Sequence, residues 1–186
     1  AKIVASEIGL DANSIAAALL HDVVEDCPRY TIDDIQQLFG ETVAKIVNGL
    51  TKISNIKKDM NVSMQAENFR RMLLTLHDDI RVIIIKIADR LHNMQTIHSM
   101  REEKQLKIAS ETLYIYAPLA HKIGLYNIKT ELEDLALKYT EPDVYNGITN
   151  KLKESKEEQD LYIKDISKVL TKALNKEKLK YEIKGR

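Results

Sequence analysis

The chain has 186 residues, and its 28 basic and 28 acidic side chains give a formal net charge of zero at pH 7. This balance provides no general attraction to nucleic acid or to an anionic membrane surface. With 44% hydrophobic and 30% charged residues but only 6 Gly and 3 Pro, the composition is typical of a helical protein with one principal domain, and it argues against a disordered or strand-rich chain.

Apolar residues recur at helical spacing through most of the chain, with capping residues before the segments and Gly or Pro after them. We predict an all-α fold of about eight helices, over residues 15–26, 31–40, 41–53, 64–77, 80–99, 102–124, 126–139 and 141–178. Residues 54–63 are polar and lack an apolar face, so they are predicted to form a loop. The last residues, 179–186, alternate apolar and polar side chains and are predicted to begin a β-strand.

Three details refine this division. Residues 1–10 lack an initiator Met and resemble the end of a helix, so we expect a cut N-terminus. The segment from Thr31 to Asp34 has the pattern of a capping box. The segment 81–91 carries a run of β-branched side chains, which leaves a strand as the alternative, but its pattern continues past strand length. Its charged residues also interrupt the apolar run, so no membrane-spanning helix is predicted.

The hexapeptide HDVVED at residues 21–26 is the strongest chemical signal in the chain. It places His21 and the carboxylates of Asp22, Glu25 and Asp26 at the end of an otherwise apolar helix. Asp22 and Asp26 share a helical face, where like charges repel and where burial costs more. Carboxylates at a helix C-terminus also oppose the helix dipole. A bound cation would relieve this cost, and the alternative is a solvated, frayed helix end.

The second signal is Asp89, which lies in the middle of the most apolar predicted helix and shares a face with Asn93. A buried aspartate requires a partner, which is either a metal ion or, in an internal ion pair, Arg90. Imidazole and carboxylate ligands together suit Mn²⁺, Mg²⁺ or iron and argue against a thiolate zinc site. An ion held there would lower the pKa of water for a hydrolysis, leaving Glu25 and Asp26 free to orient and deprotonate that water.

The segments that carry these residues closely resemble, in sequence and order, the hydrolase half of the RelA/SpoT homologues, which make and degrade the alarmones (p)ppGpp. The matching segments run through essentially the whole chain and are AALLHDVVED, VNGLTKIS, IIKIADRLHNMQT, KIASETLYIYAPLAHKIGLYNIKTELEDLALKY and YEIKGR. The resemblance implies an α-helical HD fold that binds one Mn²⁺. It also implies hydrolysis of ppGpp or pppGpp at the 3′-pyrophosphate, giving GDP or GTP and pyrophosphate. This reaction belongs to the stringent response, and the resemblance implies a cytoplasmic location.

The same resemblance implies a role for each site residue: metal ligation by His21, Asp22 and Asp89, water activation by Glu25 and Asp26, and contact with the guanosine portion by Asn93 and Thr96. Family members whose hydrolase site has degenerated lose the Glu-Asp pair, which is intact here. The family has a further metal-ligating histidine and a basic nucleotide-binding motif on a helix upstream of the His-Asp pair, and this chain starts after that helix. We therefore expect an incomplete metal site, with weak or no Mn²⁺ binding and little turnover by the chain alone. Cys27 stands where the family commonly has Thr.

The resemblance further divides the chain into an HD hydrolase domain over residues 1–140, connecting helices over 141–178 and the start of a synthetase domain over 179–186. No synthetase activity, nucleic acid binding or membrane binding is expected of this chain, whereas ribosome association belongs to the full-length protein. Two other functions stay open. One is an HD phosphohydrolase for another nucleotide, and the other is a non-catalytic module that senses a nucleotide through its HD site.

Overall fold

The structure is a computed structural model and describes residues 1–58 and 79–176. Within these two ranges the regular structure is helical and no strand occurs, which confirms the predicted all-α fold. The predicted strand over residues 179–186 and the predicted helix over residues 64–77 lie outside the described residues.

The helices, numbered in chain order, are α1 Ala12–Leu19, α2 Val23–Asp26, α3 Ile32–Phe39, α4 Glu41–Lys58, α5 Ile80–Gln95, α6 Glu102–Glu111, α7 Ala117–Lys122, α8 Tyr126–Thr140 and α9 Pro142–Lys176. Single turns of π-helix lie at Val4–Ile8 and Thr112–Tyr116, and a 3₁₀ turn lies at Ile97–Ser99. The π-helical turn Thr112–Tyr116 therefore divides the segment that was predicted as one helix over residues 102–124.

Short polar side chains begin the helices. Thr31 forms the predicted capping box at the start of α3: its hydroxyl accepts a bond from the N–H of Asp34 (3.3 Å), and the Asp34 carboxylate accepts one from the N–H of Thr31 (2.8 Å). Asp79 caps α5 in a related way, because its carboxylate accepts a bond from the N–H of Arg81 (3.0 Å). Gly40 ends α3 with a φ of +88°, a backbone conformation that favours glycine.

The predicted loop over residues 54–63 is wrong in its first part. Helix α4 continues through residues 54–58 and ends at Lys58, while residues 59–63 lie outside the described part of the chain. Four of these five additional residues are polar, and such a segment can extend a helix whose earlier turns are already fixed by a buried face.

Helix α5 lies at the centre of the first of two compact units, which comprise Ala1–Thr140 and Glu141–Arg186. It packs against α1, α4 and α8, and its β-branched and long apolar side chains are almost fully buried, namely Val82, Ile83, Ile85, Ile87, Leu91 and Met94. Burial on all sides explains why a β-branched run forms a helix here, because packing outweighs the small loss of helix propensity. The assignment of the two units to a hydrolase domain and to connecting helices stays a prediction.

Helix α4 approaches α5 closely at Gly49. A Cβ atom added to Gly49 would lie 2.7 Å from Cγ2 of Val82 and 3.2 Å from its Cγ1. The absence of a side chain at Gly49 therefore sets the distance between these two helices. No helix in residues 1–58 and 79–176 has both the length and the apolar content that a membrane crossing requires.

Candidate metal and catalytic site

The hexapeptide HDVVED spans a break between α1 and α2, so the prediction of one continuous helix over residues 15–26 is wrong. Helix α1 ends at Leu19, the N–H of Val23 bonds to the carbonyl of Leu20 (3.1 Å), and α2 begins at Val23. Glu25 and Asp26 therefore lie in α2, a separate single turn of four residues, and not at the C-terminus of α1.

His21 lies in this break, between two carboxylates from different parts of the chain. Its Nε2 is 2.8 Å from Oδ2 of Asp22 and 3.6 Å from Oδ1 of Asp89 on α5. Its Nδ1 is 3.0 Å from the carbonyl oxygen of Ala18. Because a carbonyl oxygen only accepts, Nδ1 must carry the donated proton, so Nε2 is the nitrogen that faces the carboxylates. The structure thus brings together the three residues that were predicted to ligate a metal.

The two carboxylates change the protonation of His21. Its hydrogen bond with Asp89 raises the pKa of His21 above the ordinary value, against the opposing effect of burial, and the charge of Asp22 adds to this increase. Burial by itself would raise the pKa of Asp89, but the bond from His21 and the charge of Lys86 outweigh it and hold that pKa below its usual range. The two pKa shifts have opposite directions and one shared cause, the contact between the His21 imidazole and the Asp89 carboxylate.

The two oxygens of Asp89 face different partners. Oδ2 lies 3.7 Å from Nζ of Lys86, whose side chain is 9% exposed. Oδ1 accepts a bond from Nδ2 of Asn93 (3.1 Å) and is the oxygen that faces His21. Sequence reasoning missed Lys86, although it precedes Asp89 by three residues on the same helix, a spacing that brings side chains together.

Arg90 is not the partner of Asp89, so the alternative of an Asp89–Arg90 ion pair is wrong. Its guanidinium donates to Glu111 (3.0 Å) and to the carbonyl of Ile108 (3.4 Å), and it lies 4.3 Å from the ring centre of Tyr116. These contacts turn the charge of Arg90 towards α6 and the following π-helical turn. Asp89 is left to Lys86 and to His21.

Glu25 has an unusual environment for a carboxylate. Its Oε1 is buried and has no hydrogen-bond partner among the described residues, whereas Asp26, at the end of α2, is exposed. A buried oxygen without a donor costs about 1–3 kcal/mol, so such groups are typical of sites that bind water, an ion or a substrate.

Asn93 and Thr96 follow Asp89 at four and seven residues along the chain, so the three residues share a face of α5. Asn93 is half-buried and contacts Asp89, while Thr96 is exposed and donates from its hydroxyl to the carbonyl of His92 (3.0 Å). This face continues outwards from the carboxylate cluster to the surface at the end of α5.

A cavity of about 110 Å³ lies beside His21 and Asp89 and reaches the N-terminal residues Lys2 and Val4. Pockets for small organic ligands are usually about 300–1,000 Å³. This cavity is therefore too small for a whole guanosine nucleotide, and of a size for an ion with its water.

No group of three or more His, Cys, Asp or Glu side chains within residues 1–58 and 79–176 has the geometry to hold a metal ion. Nε2 of His21 instead lies directly against the two carboxylates, 2.8 Å from Asp22 and 3.6 Å from Asp89. In their chemistry, one imidazole and two carboxylates are a donor set that suits a hard divalent cation.

Comparisons with known proteins identify the family of this chain. Residues 1–126 match the family described as HD domain. The chain is 47% identical over 182 residues to the guanosine-3′,5′-bis(diphosphate) 3′-pyrophosphohydrolase of Aquifex aeolicus, covering 97% of this chain and 26% of the relative. It is 45% identical over 183 residues to the GTP pyrophosphokinase of Myxococcus xanthus, covering 97% of this chain and 24% of the relative.

A third relative, the GTP pyrophosphokinase rsh of Brucella ovis, is 42% identical over 181 residues, again over 97% of this chain and 24% of the relative. The chain thus spans about a quarter of the length of these relatives. The family match extends over the helices that carry His21, Asp22 and Asp89. The chain therefore belongs to the HD domain family and, within it, to the RelA/SpoT homologues.

Proposed function

We propose that this chain carries the hydrolase site of a (p)ppGpp 3′-pyrophosphohydrolase, which converts ppGpp or pppGpp to GDP or GTP and pyrophosphate. The observation that carries the proposal is the position of His21 Nε2, 2.8 Å from Asp22 and 3.6 Å from Asp89. The printed name of the Aquifex aeolicus relative supplies the substrate and the reaction.

HD domains are metal-dependent hydrolases, and the ion that we propose here is Mn²⁺, held by His21, Asp22 and Asp89. The bond from Nδ1 to the carbonyl of Ala18 supports His21 as a ligand, because it fixes the ring with Nε2 turned towards the carboxylates. When bound, such an ion polarises a phosphoryl oxygen and lowers the pKa of water.

Glu25 and Asp26 are proposed to orient the attacking water and accept its proton. The buried, unpaired Oε1 of Glu25 supports this role, because a water molecule is a donor that this oxygen lacks within the described residues. The oxygen of the water forms a bond to the phosphorus that carries the ribose 3′-oxygen. The bond between that phosphorus and the 3′-oxygen breaks, and the 3′-oxygen leaves with a proton. The proton that the carboxylates accept from the water passes to the leaving 3′-oxygen, and Asp26, which is exposed, is suited to exchange protons with solvent.

The nucleoside portion is proposed to lie along the outer end of α5, in contact with Asn93 and Thr96. The small volume of the cavity beside His21 supports this placement, because only part of a nucleotide would fit inside it. The exposed position of Thr96 leaves that end of the helix open to a ligand. We further propose that the full-length protein acts in the cytoplasm and that the residues described here contribute no synthetase activity.

The test is pyrophosphate release from ppGpp in the presence of Mn²⁺, measured on the full-length protein and on this chain alone. Asp22→Ala and Asp89→Ala are expected to lower turnover by at least a hundredfold, and Asp134→Ala is the matched control, because Asp134 is an exposed carboxylate on α8. Retained turnover in both site variants would refute the assignment. Binding of ppGpp without turnover would instead favour a nucleotide-sensing module, and faster turnover of another nucleotide would favour a different HD phosphohydrolase.

A further inference from the structure

The contacts of Asp89 are divided between its two carboxylate oxygens. Oδ1 faces Nε2 of His21 (3.6 Å) and accepts the amide of Asn93 (3.1 Å), whereas Oδ2 faces Nζ of Lys86 (3.7 Å). The side of the carboxylate that is turned towards the other proposed ligands is therefore Oδ1 alone. A positive charge lies on the opposite side.

Lys86 is held in this position by its helix. The whole Lys86 residue is 7% exposed. Its neighbours in sequence, Ile85 and Ile87, are 2% and 0% exposed and anchor α5 in the core. A buried ammonium group is costly without a nearby anion, so Lys86 and Asp89 stabilise each other's charge. The Asp89 carboxylate thus has a buried positive charge beside its Oδ2 oxygen.

We propose that Lys86 selects the metal ion by limiting Asp89 to coordination through one oxygen, Oδ1. This inference rests on the metal site proposed above. A large cation such as Ca²⁺ takes six to eight oxygen ligands and commonly uses both oxygens of a carboxylate, whereas small octahedral cations such as Mn²⁺ and Mg²⁺ are satisfied with one. Because the positive charge of Lys86 lies 3.7 Å from Oδ2, coordination of a cation through that oxygen is disfavoured, and the site becomes a poor one for Ca²⁺.

The charge of Lys86 has a second effect, which distinguishes this role from a structural one. A unit positive charge a few ångströms from Asp89 repels a divalent ion bound to the same carboxylate. Removing that charge is therefore expected to strengthen metal binding. If Lys86 only supported the shape of the site, its removal would weaken metal binding, so the two roles predict changes of opposite sign.

The experiment compares the full-length protein with its Lys86→Met variant, which keeps the length of the side chain and removes the charge. Dissociation constants for MnCl₂ and CaCl₂ are measured by calorimetry, and the rise in melting temperature with each salt is measured alongside. We expect Lys86→Met to bind Mn²⁺ about tenfold more tightly and Ca²⁺ about a hundredfold more tightly, so that the preference for Mn²⁺ over Ca²⁺ falls about tenfold. Lys129→Met is the matched control, because it removes the same charge from a helical ion pair with Glu133 on α8.

A second variant, Lys86→Gln, keeps a hydrogen-bond donor at this position without the charge and covers the case in which Lys86→Met does not fold. It is expected to bind Mn²⁺ more tightly than the wild-type protein while retaining more of the preference for Mn²⁺ over Ca²⁺ than Lys86→Met. Weaker Mn²⁺ binding in the folded variants, or an unchanged preference, would overturn the role of Lys86 and leave the metal site standing. Failure of Mn²⁺ to bind the full-length wild-type protein and both of its variants would overturn the metal site and this inference together.

Discussion

The close approach of α4 and α5 at Gly49 makes Gly49→Ala a sharp test of the fold that supports the site. A Cβ at this position would lie 2.7 Å from one methyl of Val82 and 3.2 Å from the other, so rotation of the valine side chain does not remove the overlap. Val82 is 2% exposed and has no free space to move into. Overpacking of a core costs about 1–3 kcal/mol, and the tight contact with both methyls favours the upper end of that range.

Replacing glycine by alanine inside a helix also stabilises the helix by about 1 kcal/mol, and this gain offsets part of the cost of overpacking. We therefore expect Gly49→Ala to lower the free energy of unfolding by about 2 kcal/mol, the difference between about 3 and about 1. For a chain of this size that corresponds to a decrease of about 4–8 °C in melting temperature. Urea unfolding followed by circular dichroism measures the change directly.

Two further variants decide whether steric overlap with Val82 is the cause. Gly147→Ala, in α9, adds the same methyl group where no atom lies within 4 Å, so it is expected to leave stability unchanged or to raise it. In the double variant Gly49→Ala, Val82→Ala, the total loss is expected to be smaller than the sum of the two single losses, because the smaller side chain removes the overlap. Additive losses, or a neutral Gly49→Ala, would refute the reasoning.

Three other changes test separate parts of the structure. Thr31→Ala removes the capping box of α3 and is expected to cost about 1 kcal/mol in urea unfolding. Glu111→Ala leaves the buried guanidinium of Arg90 without its carboxylate and is expected to cost about 3 kcal/mol, while Glu111→Gln costs less. Hydrogen bonding from Arg81 holds the pKa of Asp79 below its ordinary value. The Asp79 carboxylate therefore stabilises the fold fully when the pH is above the ordinary pKa of aspartate, and this stabilisation is lost as the pH falls through the lowered pKa of the folded state. Asp79→Asn should therefore flatten the fall in stability between about pH 5 and pH 2, and an unchanged acid profile would contradict this.

The sequence was sufficient to predict the elements whose signals are local. The capping box at Thr31 and the end of α3 at Gly40 need only neighbouring residues, and both occur as predicted. The helical state of residues 81–91 followed from the length of the apolar pattern, and α5 confirms it. The extension of α4 to Lys58 was not predictable in this way, because residues 54–58 contain one apolar side chain, Ile56, and show no sustained apolar face.

The partners of charged residues were harder to predict than the charged residues themselves. Arg90 is adjacent to Asp89 in sequence, but neighbouring residues on a helix point about 100° apart, and Arg90 is directed to Glu111 and Tyr116. Glu111 lies on another helix, so no local pattern could have identified it. Lys86 was within reach of sequence reasoning, because residues three apart share a helical face.

The break between α1 and α2 explains how one short segment can supply both the ligands and the water-activating residues of the proposed site. In a continuous helix the four polar residues of HDVVED would be spread around one axis, and the carboxylates would lie at its unfavourable end. The break allows His21 to bond to the carbonyl of Ala18 and to face Asp89, while Glu25 and Asp26 lie in the first turn of a new helix. The low helix propensity of His and Asp favours this break, and the interrupted backbone turns the imidazole of His21 towards α5.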